Sequence, residues 1–259
     1  MKIFCVYPAS KECLKVYRNE LTGIQKFLKS LFDATKLSIA QSGDTLKVIT
    51  DDSGLSTLKA LGIENECIIS GKLDDIWIRD FGLVSQAVNG EMTRFIYSPK
   101  SLNVQDAKEI QKSFDKWINN LQNTVRIHKS ILILDGGNVI MDPVSQRAFV
   151  TERIFSDNKN FPRVDVVKLL SEELKLRDEE ALCVIPEDPE EAVLGHADGC
   201  IALVSQKDVV INCENERNME YNLALRKKIQ QSFSDINIHT LPFSPEDKVY
   251  RTPVFTSCL

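Results

Sequence analysis

Gly195-His196-Ala197-Asp198-Gly199 is the sharpest of the stretches in this chain that could do chemistry. On an extended strand, residues two apart face the same side, so His196 and Asp198 would project together. A carboxylate beside an imidazole orients the ring and raises its basicity, which suits a general acid–base. A histidine satisfied in a turn fits the same residues. A metal centre built on this pair would need more ligands. The other histidines, His128 and His239, lie in no motif, so no metal and no cofactor is expected.

Two further acids stand beside glycines. Asp80 follows Trp77 and Arg79 in a run expected to be mostly buried, and Asp135 ends the apolar run 131–134 and precedes Gly136-Gly137. A buried carboxylate is costly unless a cation meets it. Arg79 could serve Asp74 or Asp75 in a purely structural network. The functional alternative is that Asp80 and Asp135 await a cationic substrate, because convergent carboxylates take a planar guanidinium through paired hydrogen bonds. Asp80, Asp135 and Asp198 recur at roughly 60-residue intervals, a spacing suited to one supersecondary unit each. Acid–glycine pairs are also ordinary turn chemistry. Three at a similar period, each beside an apolar run, favour a shared site.

The elements that must position these residues alternate. Residues 3–7 and 46–50 read as strands, and Asp51-Asp52-Ser53-Gly54 stops the second. Apolar residues at three- and four-residue steps mark helices over about 11–32, 105–121, 164–176 and 216–233. This order argues for an α/β protein. No Pro/Gly/Ser-rich linker divides the 259 residues, so one domain, 1–259, is expected.

Composition narrows the function. The net charge is −5 with scattered basic residues, which gives no footprint for nucleic acid and no polybasic membrane patch. The apolar runs are too short to span a bilayer. Residues 1–7 do not read as a secretory signal. Seven cysteines, none at CxxC spacing, read as reduced and mostly buried thiols of a cytoplasmic protein.

Four motifs in order carry a family resemblance. The run Asp74-Asp75-Ile76-Trp77-Ile78-Arg79-Asp80-Phe81-Gly82 is similar to the WxRDxGP motif of the agmatine deiminase and bacterial peptidylarginine deiminase family. Leu134-Asp135-Gly136-Gly137-Asn138 resembles its EGGN motif, with Asp135 where the family usually has Glu. Thr151-Glu152-Arg153, followed by Asn158-Lys159-Asn160, resembles its TER…NxN segment. Gly195-His196-Ala197-Asp198-Gly199 resembles its GHxD motif.

The resemblance implies a pentein-like, pseudo-symmetric α/β-propeller of ββαβ units. It implies hydrolysis of the guanidinium group of agmatine or of an arginine residue to a ureido group plus ammonia, through a covalent cysteine intermediate. Asp80 and Asp198 would bind the guanidinium, with Asp135 as a further contact and Trp77 lining the pocket. His196 would protonate the departing ammonia and then activate water. An arginine peptide would need a cation for its carboxylate, and Lys100 lies where one could serve, although it reads equally as a solvated charge.

The family's nucleophile lies in a GGG-x-x-x-C segment that is not found here. Cys258 is near the C-terminus, but its surroundings resemble the family's preceding segment. Cys200, two residues past Asp198, would share its strand face or be a packed thiol. The resemblance thus implies a propeller incomplete at its C-terminal end, from a shortened gene, from a fragment of a longer chain, or closed by self-association as a homo-oligomer. Two readings stand beside the deiminase: an inactive guanidinium-binding protein and a metal-dependent hydrolase using HxD.

Overall fold

The computed structural model describes residues 2–86, 91–120, 126–188, 195–211 and 219–241. The chain packs as two compact units, one formed by residues 1–81 with 105–124 and the other by 82–104 with 125–259.

The first unit is built on three parallel strands, β1 (Lys2–Val6), β2 (Thr45–Thr50) and β3 (Ile68–Ser70), in that order. Parallel neighbours need crossovers, and helices supply them. Between β1 and β2 run α1 (Lys11–Tyr17) and α2 (Leu21–Ser42). The single helix expected over 11–32 is therefore two, separated by a turn in which Glu20 N bonds Tyr17 O. The Ser10 side chain caps α1 by accepting from Cys13 N. Between β2 and β3 lies α3 (Asp52–Ala60), capped by the Asp51 side chain.

Leu28 and Phe32 of α2, Leu58 of α3, and Leu46 and Val48 of β2 form the core of this unit. Gly54 permits the close approach of α3 to β2, since a Cβ there would lie 2.1 Å from Thr50 Oγ1. One-turn helix α4 (Ile78–Phe81) and α5 (Val104–Asn120) complete the unit. Phe114 of α5 meets Phe81 edge-on, with ring centroids 5.9 Å apart.

The second unit repeats one pattern. Strand β4 (Val84–Ser85) pairs antiparallel with β5 (Met92–Ile96), which pairs parallel with β6 (Ile127–Ile133). The same order recurs in β7 (Ile140–Asp142), β8 (Arg147–Thr151) and β9 (Leu182–Ile185), with α6 (Arg153–Asp157) and α7 (Arg163–Leu174) between β8 and β9. It recurs again in β10 (Ile201–Leu203), β11 (Asp208–Ile211) and β12 (Asn237–Thr240), with α8 (Met219–Ser232) before β12. Each follows the ββαβ order in sequence, with α5 the helix that comes between β5 and β6 in the chain.

Two apolar clusters fill the second unit. Leu132, Leu134, Val150, Ile154, Leu170 and Leu174 belong to one. Phe149, Cys183, Ile201, Ile211, Ile229 and Phe233 belong to the other. No helix among the described residues is long and apolar enough to cross a membrane.

The repeat places the motif acids. Asp80 lies in α4, just before β4. Asp135 precedes a 3-10 turn over Gly136–Asn138, just before β7. Asp198 lies in a 3-10 turn over Ala197–Gly199, just before β10. Every acid thus stands where the chain enters the first strand of a ββαβ unit.

Candidate active site

In the second unit the site grows from the ends of β6 and β8. Asp135 and His196 are almost fully buried, and Asp135 Oδ2 lies 3.0 Å from His196 Nε2. Asp135, 61 residues away in the chain, is thus a carboxylate partner of the imidazole that lies outside the HxD stretch. Asp135 Oδ2 also accepts from Arg153 Nη2 at 2.8 Å, and Arg153 Nε donates to Asp157 Oδ2 at 2.9 Å. Burial pushes the Asp157 carboxyl above its ordinary range, and the Arg153 guanidinium opposes that rise.

Three buried polar residues fasten the turns that carry this pair or the strand leading into one. Asn138 Oδ1 accepts from Thr151 N at 3.0 Å and from Ala197 N at 3.1 Å. The Thr151 hydroxyl lies 2.9 Å from the same oxygen and 2.7 Å from Gly195 O. It has one proton to give, so the two acceptors share it. Asn158 binds the end of β6 from the other side. Its Oδ1 accepts from Ile133 N and its Nδ2 donates to Ile133 O, both at 2.8 Å. Thr151, Arg153 and Asn158, the TER…N residues, thereby each hold a motif turn or the strand leading into one.

The HxD stretch is not a strand. His196 is extended, with φ −85° and ψ 152°, and the chain then turns through Ala197–Gly199. The two-residue period that was to place His196 and Asp198 on one face therefore does not apply. His196 is buried and Asp198 is half-buried in the turn that follows. Cys200 shares no strand face with Asp198 either. It is buried, and its thiol donates to the His196 carbonyl at 3.3 Å. Gly195 has φ +58°, a left-handed conformation that glycine adopts without strain.

Lys100 is paired with Glu187 at 3.6 Å. Glu187 lies against Gly195, where a Cβ would come within 2.5 Å of its Oε1. Cys258 lies outside the described residues. Among the described residues no group of three His, Cys, Asp or Glu side chains is placed to hold a metal ion.

In the first unit, the run holding Trp77 and Asp80 is a bend and one helical turn, not a buried stretch. Trp77 is 56% exposed, Arg79 is exposed and Asp80 is half-buried. Local hydrogen bonds dictate this. Asp75 Oδ1 accepts from Ile76 N at 2.6 Å and from the Tyr17 hydroxyl at 2.5 Å. Ile78 N bonds Ile76 O, and Asp80 N bonds Trp77 O. An acid that bonds its own downstream backbone favours a turn over a ladder. Beside it, burial raises the Asp74 carboxyl above its ordinary value, helped by the nearby Glu12 charge.

The model of the Porphyromonas-type peptidyl-arginine deiminase family matches residues 3–254. The chain belongs to this family. A search of curated proteins finds no match. Among solved structures, the chain is similar to an agmatine deiminase of C. jejuni, with TM-score 0.69 and 16% identity over 95% of this chain and 73% of that one. It is also similar to the agmatine deiminase of Enterococcus faecalis, with TM-score 0.64 and 14% identity over 93% of this chain and 67% of that one. The fold class is accordingly the family's pentein-like α/β type, built of ββαβ units.

Sequence reasoning missed the pairing of Asp135 with His196, and it gave Arg153, Asp157 and Asn138 no role. A signal for the first two was present. An arginine four residues before an aspartate, inside a short apolar helix, is a cation that must find carboxylates.

Proposed function

We propose that this protein hydrolyses the guanidinium group of a small cationic substrate, agmatine or an arginine residue of a peptide, to a ureido group plus ammonia. The observation that carries the reading is the buried Asp135–His196 pair at the entry to a ββαβ unit, in a chain that belongs to a deiminase family. Asp198, half-buried in the turn after His196, supplies a carboxylate for the cationic guanidinium. Asp135 holds the imidazole, so its part is orientation rather than substrate contact.

In the reaction, a thiolate forms an S–C bond to the guanidinium carbon. His196 passes a proton to the nitrogen that leaves as ammonia. Water, giving its proton back to His196, then attacks the thiouronium carbon. The S–C bond breaks, releasing the ureido product and the thiolate. Cys258 is the candidate thiol nearest the C-terminus. Cys200 is a poor candidate, since it is buried and its thiol is bonded to a backbone carbonyl.

That placement of Cys200 favours one second reading, in which the chain binds guanidinium compounds without turning them over. Incubation with agmatine and with arginine peptides, followed by ammonia and ureido assays, tests both. Turnover that is lost on thiol alkylation and in His196→Asn supports the deiminase. Measurable binding without turnover supports the second reading. Turnover abolished by a chelator and untouched by alkylation overturns both in favour of a metal-dependent hydrolase.

A further inference from the structure

Arg153 is among the largest fully buried side chains. A guanidinium out of water is costly unless carboxylates meet its N–H groups in good geometry. Here the planar fork is split between two of them, with Nη2 on Asp135 and Nε on Asp157. The Asp135 oxygen that Arg153 binds is the one beside His196 Nε2. The other Asp135 oxygen, Oδ1, is buried with no hydrogen-bond partner. No bond on that side fixes the rotation of the carboxylate, so the bond from Arg153 decides which edge meets the imidazole.

With both carboxylates ionised and His196 neutral, Asp135, Arg153 and Asp157 together carry one net negative charge. Protonating His196 brings the group to zero. A buried site favours the neutral sum.

We propose that Arg153 is a positioning residue for His196. Its fork fixes Asp135 against the ring, and Asp157 balances Arg153 so that the negative charge of Asp135 is left to favour the imidazolium. The imidazolium is the form that can hand a proton to departing ammonia, and this proposal rests on the reading of His196 as the acid–base group. Other charged groups beside the His196 backbone include Asp198 in the following turn and Glu187 against Gly195. Lys100 pairs with Glu187 and also acts on Asp157. All of them stay in place in the variants that test the idea.

The test is an NMR titration of the histidine rings in the intact chain, with His196 assigned by its loss in His196→Asn. Arg153→Met removes a cation, which by charge alone would raise the His196 pKa by about 1 unit or more, but it also frees Asp135 to turn from the ring. The pKa is therefore expected to stay level or fall, and a rise of that size shows charge without positioning and overturns the proposal. Asp157→Asn leaves Arg153 to Asp135 alone and lowers the His196 pKa by about half a unit or more. If Arg153→Met does not fold, Asp157→Asn decides, because its side chain sits nearer the surface, at 11% exposure.

A folded Asp157→Asn protein whose His196 pKa stays within about 0.2 unit of wild type overturns the proposal. Arg153 is then a structural ion pair only. That result leaves the deiminase reading standing. Absence of turnover in the wild type overturns the deiminase reading and leaves the titration result intact.

Discussion

Replacing Asn138 by Ala tests the claim that one side chain fastens the Asp135 and His196 turns together. Asn138 is 2% exposed, and its Oδ1 is the acceptor for two buried backbone donors, Thr151 N and Ala197 N. Removing it strands both. A buried donor left without a partner costs about 1–3 kcal/mol. The third contact, from the Thr151 hydroxyl, adds little, since its single proton can go to Gly195 O instead. The expected loss is about 3 kcal/mol, a large part of an ordinary domain's stability of about 5–15 kcal/mol. Thr151→Val is the control. It deletes the hydroxyl but keeps the backbone N–H on Asn138, so its loss should be smaller, about 1–2 kcal/mol. Urea unfolding followed by circular dichroism measures both. If Asn138→Ala loses less than Thr151→Val, or less than about 1 kcal/mol, the turns are held by something other than this oxygen.

Other substitutions probe neighbouring parts of the site. Asp135→Asn leaves the Arg153 cation to Asp157 alone, and denaturant unfolding should show a loss of about 3–5 kcal/mol. A loss below about 1 kcal/mol would mean that the pair is not buried as described. Gly195→Ala forces an L-residue to φ +58° and pushes a Cβ against Glu187. It should cost about 1–2 kcal/mol in backbone strain, read as a lower melting temperature, and an unchanged melt would refute the strain. Asp74→Asn should stabilise the protein at neutral pH. The Asp74 carboxyl is raised by burial above 3.8, so the wild type is penalised once the group ionises, and the penalty vanishes below 3.8, where folded and unfolded states are both protonated. A melt series run from neutrality downward should show the advantage of the variant fading as that value is passed, and an advantage that grows on acidification reverses the sign.

Much of this architecture could be read from residue order because periodicity is a local property. The apolar stripes at three- and four-residue steps located α5, α7 and α8, and the acid–glycine repeat marked the entry to each of three ββαβ units. The failures share one cause. The stretch 76–82 was read as a buried run and 195–199 with the period of a strand, whereas side chains bonding to the backbone accompany a turn in each. Asp75 bonds Ile76 N, and Asn138 bonds Ala197 N. Once a turn intervenes, side-chain direction no longer follows a two-residue alternation. Asp135 meets His196 through a contact 61 residues long in sequence that no local pattern records. The break between α1 and α2 was hidden for a related reason. The apolar stripe runs through it, and only the polar Arg18-Asn19-Glu20 between the helices hints at it.

The segment 151–158 explains how two turns from different repeats can share one site. Each turn alone is a few residues of glycine-rich chain with little apolar surface to hold it. The strand β8 ends between them and gives each a separate fastening: Thr151 to Asn138 and Gly195, Arg153 to Asp135, Asn158 to the end of β6. All three of these residues are 4% exposed or less, so their bonds are made where water cannot substitute for them. The replacement of the family's usual Glu by Asp at 135 gains a physical reading here. A shorter arm reaches His196 only if its carboxylate is turned to the ring, and the Arg153 bond to the same oxygen does that turning. Lengthening the arm again, in Asp135→Glu, should crowd that shared oxygen between two fixed partners. The variant should therefore lose stability, by about 1–3 kcal/mol, rather than regain a family preference.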